Sequence, residues 1–164
     1  MRQIPILLVL ITLLACHTGA RPGKGSKEKQ LPDIILKLNN GNDSLSVAHL
    51  APGRSTVLFY ISPDCEYCQD EIKRVLKNID FFKDVRIILI TAAPLNELNA
   101  FCASYHIDRY QNISAGFDFK YAFQSKYKVK TIPYALVFDD RNELTLTFPG
   151  ETDIELLKAA ILTN

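Results

Sequence analysis

A continuously apolar run, Thr56-Val-Leu-Phe-Tyr-Ile61, is stopped by Ser62-Pro63-Asp64 and followed at once by Cys65-Glu66-Tyr67-Cys68. An apolar run without alternation suits a strand covered on both faces. Downstream, Ile72, Val75, Leu76 and Ile79 recur at helical spacing, with Asp70 and Glu71 near the positive end. The two cysteines therefore stand on the first turn of a helix fed directly by a buried strand. At this spacing on one turn, their sulfurs come within disulfide range. The helix N-terminus offers partial positive charge and unpaired N–H groups, which favour a thiolate at Cys65. Cys68, one turn deeper, is placed to attack a mixed disulfide formed by Cys65. Position makes Cys65 the candidate nucleophile and Cys68 the resolving thiol.

Two other uses of the pair have to be weighed. Cys102 and His106 lie one helical turn apart and would complete a Cys₃His zinc set with Cys65 and Cys68. A structural disulfide is the other, although so short a loop removes little unfolded-state entropy. The strand–turn–helix setting favours redox over both, so no metal and no cofactor is expected. Cys102 falls on the apolar stripe of Leu98, Phe101 and Tyr105, which makes it a core residue.

The remaining pattern is that of an α/β domain. Ile34–Leu38 and Ser44–Val47 flank the turn-rich Asn39-Asn-Gly-Asn-Asp43 and predict an N-terminal β-hairpin. Val85–Thr91 is a second buried strand, followed by the helical stripe around Leu98. A short strand is expected over Gln111–Ala115 and a short helix over Phe117–Tyr127. Tyr134–Phe138 and Leu144–Phe148, separated by Asp139–Glu143, predict a second hairpin. Thr152-Asp-Ile-Glu155 reads as a capping box that opens a last helix. This order implies a mixed central sheet with helices on both faces.

The N-terminus reads as an export signal. Residues 1–15 hold a short basic start at Arg2 and an apolar core too short to span a bilayer comfortably. Leu13-Leu14-Ala15-Cys16 resembles the lipobox of bacterial lipoproteins, with Leu14 where a smaller residue is usual; this implies lipidation of Cys16 and a membrane anchor. Cleavage after Ala20 to give a soluble periplasmic product is the alternative. Residues 16–30 are polar and rich in Gly and Lys, a flexible tether, and residues 31–164 form the folded domain. The formal net charge of +1 gives no reason to expect nucleic acid as a partner.

Far downstream of the cysteines, Thr131-Ile132-Pro133 precedes a strand. With the cysteine pair, this placement resembles the thioredoxin superfamily over residues 31–162. It is most similar to the TlpA-like branch of anchored, exported thiol–disulfide oxidoreductases, given the early hairpin and an element inserted at 107–128 before the loop proline. The resemblance implies a thioredoxin-like fold and a cis Ile132–Pro133 bond facing the sulfurs, with Ile132 and Pro133 contacting substrate. It also implies a monomer that exchanges disulfides with proteins and draws electrons from an upstream membrane thiol donor. The chain departs from the thioredoxin pattern in lacking a Trp before Cys65. Phe59 also stands where thioredoxins carry a buried acid. Glu71 and Lys73 read as a solvated helix face, so no general base is named. The rivals are a peroxiredoxin-like thiol peroxidase and an anchored binding module with an inert cysteine pair.

Overall fold

A computed structural model describes residues 29–163. The segment 1–15, Cys16 and the tether up to residue 28 lie outside the described residues. Seven strands and four helices follow one another as β1 (Ile35–Leu38), β2 (Ser44–Ser46), β3 (Thr56–Tyr60), α1 (Glu66–Lys77), β4 (Arg86–Thr91), α2 (Leu95–Ser104), β5 (Ile113–Phe117), α3 (Ala122–Tyr127), β6 (Tyr134–Phe138), β7 (Leu144–Pro149) and α4 (Ile154–Leu162). The strands make one sheet in the order β2-β1-β5-β4-β3-β6-β7. β3 pairs in parallel with β4, and β4 with β5, while β6 runs antiparallel to β3. The mixed sheet with helices on both faces is the thioredoxin-like arrangement that the sequence implies.

Why β3 reads as an unbroken apolar run is visible in its packing. Val57, Phe59 and Ile61 face a core built with Cys68, Ile72 and Val75 of α1, Leu98 of α2 and Leu157 of α4. Leu58 and Tyr60 face the opposite core, where Phe123 of α3 packs with Leu36 of β1. Every residue of β3 is buried, so no polar alternation can survive in it. This central strand delivers the chain to Cys65.

The insertion before the loop proline is β5, which carries the N-terminal hairpin through antiparallel pairing with β1. Gly116 of β5 makes that join: a Cβ there would stand 2.7 Å from Cβ of the fully buried Leu36. Gly116→Val is therefore expected to lower stability by about 1–3 kcal/mol, the usual range for overpacking. A thermal melt checks this, and an unchanged Tm would contradict the packing.

One cap differs from the sequence reading. The N-cap of α4 is Asp153, whose carboxylate accepts from Glu155 N at 2.7 Å and Leu156 N at 3.4 Å. Thr152, read as the cap, is buried instead, with its N–H donated to Glu71 Oε2 at 2.9 Å. That tertiary bond holds Thr152 one residue ahead of the helix start and leaves the capping to Asp153.

Candidate active site: a cysteine pair over a buried glutamate

The chain leaves β3 through Ile61, whose N–H still reaches Ile90 O at 2.9 Å. Ser62 donates its hydroxyl to the Asp64 carboxylate, and Cys65 N donates to Ser62 O at 3.2 Å. Gln69 Nε2 reaches back to Pro63 O at 2.9 Å. These bonds tie the Ser62–Asp64 loop to the start of α1 and fix where Cys65 stands. Cys65 is the N-cap of α1, and its Sγ accepts from Cys68 N at 3.3 Å. The sulfur thus takes the place that a Ser or Asp oxygen takes in an ordinary cap. Both cysteines are free thiols; Cys65 is half-buried and Cys68 is fully buried. Tyr67, between them, is 64% exposed, so its ring belongs to the surface around the pair.

Burial separates the two thiols chemically. It pushes Cys68 up to about 12, with the hydrogen bond to Cys65 and the charge of Glu71 adding to the effect and a backbone bond at Ser62 opposing it. Cys102 is likewise held up, to about 11, by burial first and then by Asp108. A thiol so reluctant to ionise is a poor first attacker. Cys65, partly exposed at the helix end, is the one a partner can reach. Of the two, Cys65 is the more accessible and Cys68 the more deeply buried.

The helix face below Cys68 is not solvated as the sequence reading had it. Glu71 is 1% exposed. Its Oε2 accepts from Arg74 Nη2 at 2.9 Å and from Thr152 N at 2.9 Å. Arg74 Nη2 also reaches Glu151 Oε1 at 3.0 Å. A buried carboxylate persists only when paired and hydrogen-bonded, and these donors supply that. Lys73 does conform to expectation: it pairs with Asp70 at 2.9 Å, both side chains being more than half exposed. The signal for Glu71 was present in the spacing. Cys68, Glu71, Ile72 and Val75 are the buried residues of α1 and follow the i, i+3, i+4, i+7 rhythm of a covered face. The covered face begins at Cys68 and includes Glu71, one turn ahead of the purely apolar stripe from Ile72. Phe59 fills the strand position facing this core, so the acid comes from α1 itself.

The Ile132–Pro133 bond is cis, as the resemblance implied. Tyr134 pairs with Tyr60 across β6 and β3. The residues just before Tyr134 therefore lie at the sheet end where β3 gives way to the cysteine loop. Ile132 and Ser62 line one cavity of about 300 Å³ with Tyr60, Thr91, Gln124 and Lys130. On the other side of the loop, Pro63 and Asp64 border a groove of about 510 Å³ against Phe101 and Tyr105. Cys102 and His106 line a separate cavity with Asp108. Among the described residues, no three His, Cys, Asp or Glu side chains gather as a metal-binding group, so the Cys₃His set is not assembled there.

A family model described as the AhpC/TSA family matches residues 28–147. No curated protein matches the chain. Among solved structures, a secreted Mycobacterium tuberculosis disulfide oxidoreductase homologous to E. coli DsbE superposes with a TM-score of 0.67 at 15% identity, covering 80% of this chain and 96% of that one. A thiol:disulfide interchange protein DsbE from Chlorobium tepidum gives 0.67 at 17% identity, covering 82% and 94%. A peroxiredoxin-like protein from Aquifex aeolicus gives 0.66 at 15% identity, covering 82% and 85%. At such identities the likeness carries the fold alone. With a cysteine pair on a capped helix end, a cis-proline loop beside it, a thioredoxin-like fold and a family model over most of its length, the chain belongs to the AhpC/TSA family.

Proposed function

We propose that the chain is an exported thiol–disulfide oxidoreductase that reduces protein disulfides through Cys65 and Cys68. The observation that carries this reading is the contrast between the sulfurs: one half-exposed at a helix N-terminus, the other buried beneath it and held as a thiol. In the first step the Cys65 thiolate attacks a substrate disulfide. A Cys65–substrate disulfide forms and the substrate's other sulfur leaves as a thiolate. In the second step Cys68 attacks Cys65 Sγ, loses its proton, and closes the Cys65–Cys68 disulfide while the substrate departs reduced. Glu71, the buried carboxylate one turn below Cys68, takes that proton. Ile132, held ahead of the cis Pro133, offers its backbone groups for strand-like pairing with the substrate segment, while Pro133 O is already taken by Gly150 N. An upstream membrane thiol donor then returns the pair to the dithiol.

The family match and the Aquifex likeness give a peroxidase reading a specific footing. Peroxide chemistry needs an arginine and a threonine at the reactive sulfur. The arginines with described partners are engaged elsewhere: Arg74 with Glu71 and Glu151, Arg86 with Thr56 and Ala51, Arg141 with Asp139. Insulin reduction by dithiothreitol, run beside peroxide consumption, separates the readings. Catalysed insulin reduction with no peroxide turnover is expected. Peroxide turnover alone would make the chain a peroxidase, and neither activity would make it a binding module.

Export and anchoring belong to the same proposal. The apolar 1–15 segment ending at Cys16 supports processing to a lipid-anchored chain facing the periplasm. Intact mass of the membrane fraction is expected to show a diacylglyceryl-bearing Cys16 as the first residue. A soluble mature chain starting at Arg21 would remove the anchor.

A further inference from the structure

Three consecutive residues between β7 and α4 reach three parts of the site. Gly150 N donates to Pro133 O at 2.9 Å, Glu151 Oε1 accepts from Arg74 Nη2 at 3.0 Å, and Thr152 N donates to Glu71 Oε2 at 2.9 Å. One short strap therefore joins the cis-proline loop to the carboxylate beneath Cys68. Arg74 closes the arrangement from the other side, since the same Nη2 that meets Glu151 also donates to Glu71 Oε2 at 2.9 Å. Among the described residues, both donors to Glu71 converge on Oε2.

The charged groups around this carboxylate are few. Cys68 and Arg74 face it from α1, one turn above and one turn below, and Glu151 meets it through Arg74 from the strap. Asp70 and Lys73, its other ionised neighbours on the helix, are turned to solvent and pair with each other. β3 presents only apolar side chains, Val57 and Phe59, to this core. Among the described residues that bond this carboxylate, Arg74 is the cation and Thr152 N the neutral donor.

We propose that Arg74 is a positioning residue for the second half of the exchange: by bridging Glu71 to Glu151 it fixes the carboxylate that takes the Cys68 proton. The inference rests on the dithiol reading above. In the step concerned, the Cys68 S–H bond breaks as its sulfur bonds to Cys65 Sγ, the Cys65–substrate bond breaks, the proton passes to Glu71, and the substrate sulfur leaves with the electron pair. Arg74 touches none of the reacting atoms. Without it, the buried Glu71 keeps a single donor and loses the charge that compensates its desolvation. Lysine would retain that charge on a flexible stem, without the rigid guanidinium that holds Nη2 between the two carboxylates.

Ellman's disulfide reports the two half-steps separately, because one thionitrobenzoate is released by the attack of Cys65 and a second when Cys68 resolves the adduct. With the full folded chain, Arg74→Gln is expected to leave the first release unchanged. The second release should slow about tenfold at neutral pH, part of the span a positioned base supplies. The slowed phase should also climb more steeply with pH than in the parent, as hydroxide replaces the displaced carboxylate. Lys73→Gln, one residue away on the solvent side, should match the parent in both phases. Arg74→Lys should recover part of the loss, and it carries the test if Arg74→Gln melts early. Second phases that superimpose for Arg74→Gln and Lys73→Gln, or equal slowing of both phases, would overturn the proposal. Absence of any second release in the parent chain would instead count against the dithiol reading itself.

Discussion

Replacing Cys68 by serine is expected to turn a catalyst into a trap. Cys65 keeps its place as the cap of α1 and its exposure, so the first attack on a protein disulfide proceeds. The intramolecular escape is gone. A sulfur held one helical turn away acts at an effective concentration of about 10⁵ M or more, against millimolar external thiol. Resolution by external thiol should therefore be slower by about eight orders of magnitude, turnover should fall to background, and mixed disulfides through Cys65 should accumulate as reducible bands on a non-reducing gel. Cys65→Ser should trap far less, because Cys68 is fully buried and its thiol is held up to about 12 by that burial. Cys102→Ser should change neither trapping nor insulin reduction. Equal trapping by the two single variants would undo the assignment of roles, and the trapped partners would name the substrates.

Glu71→Gln should have the next largest effect on chemistry. The amide oxygen still accepts from Thr152 N, so the strap stays attached, but the side chain no longer takes a proton at neutral pH. Resolution by Cys68 should slow by about 10², the lower end of what a positioned base contributes. The pH dependence follows from the direction of the Cys68 shift. Below about 12 the thiol is protonated and must lose its proton during attack. Without Glu71, each rise in pH toward that value should speed the second step. In the parent chain the dependence should be shallower. Removing the negative charge of Glu71 also removes one of the influences that hold the Cys68 thiol up, after burial and the Cys65 hydrogen bond. A second step unaffected by Glu71→Gln would assign the proton to solvent.

What could be read from the sequence divides along physical lines. The strand into Cys65 was legible because β3 is covered on both faces, and only apolar residues tolerate that. The greater depth of Cys68 was legible because depth on a helix follows from position. The cis-proline loop rested on resemblance, since nothing local distinguishes Pro133 from a turn proline. Glu71 reads as solvated because a charged residue on an apolar stripe is ordinarily at its edge, and of its two partners, Arg74 and Thr152, the second lies 81 positions away in a chain of 164. For the same reason, the capping box at Thr152 was placed one residue early. A local hydrogen-bond pattern was competing with a tertiary one that the sequence does not display.

The central claim is that Cys65 and Cys68 act together as an electron-donating dithiol toward protein disulfides. A single-turnover reaction of the reduced chain with oxidised insulin, quenched by acid and read by peptide mass, tests it most directly. The account predicts that the peptide holding Cys65 and Cys68 loses two hydrogens as a Cys65–Cys68 disulfide forms. Insulin should gain two thiols for each disulfide so formed. A pair that remains reduced while insulin stays oxidised, even though peroxide converts Cys65 alone to a sulfenic acid, would contradict it.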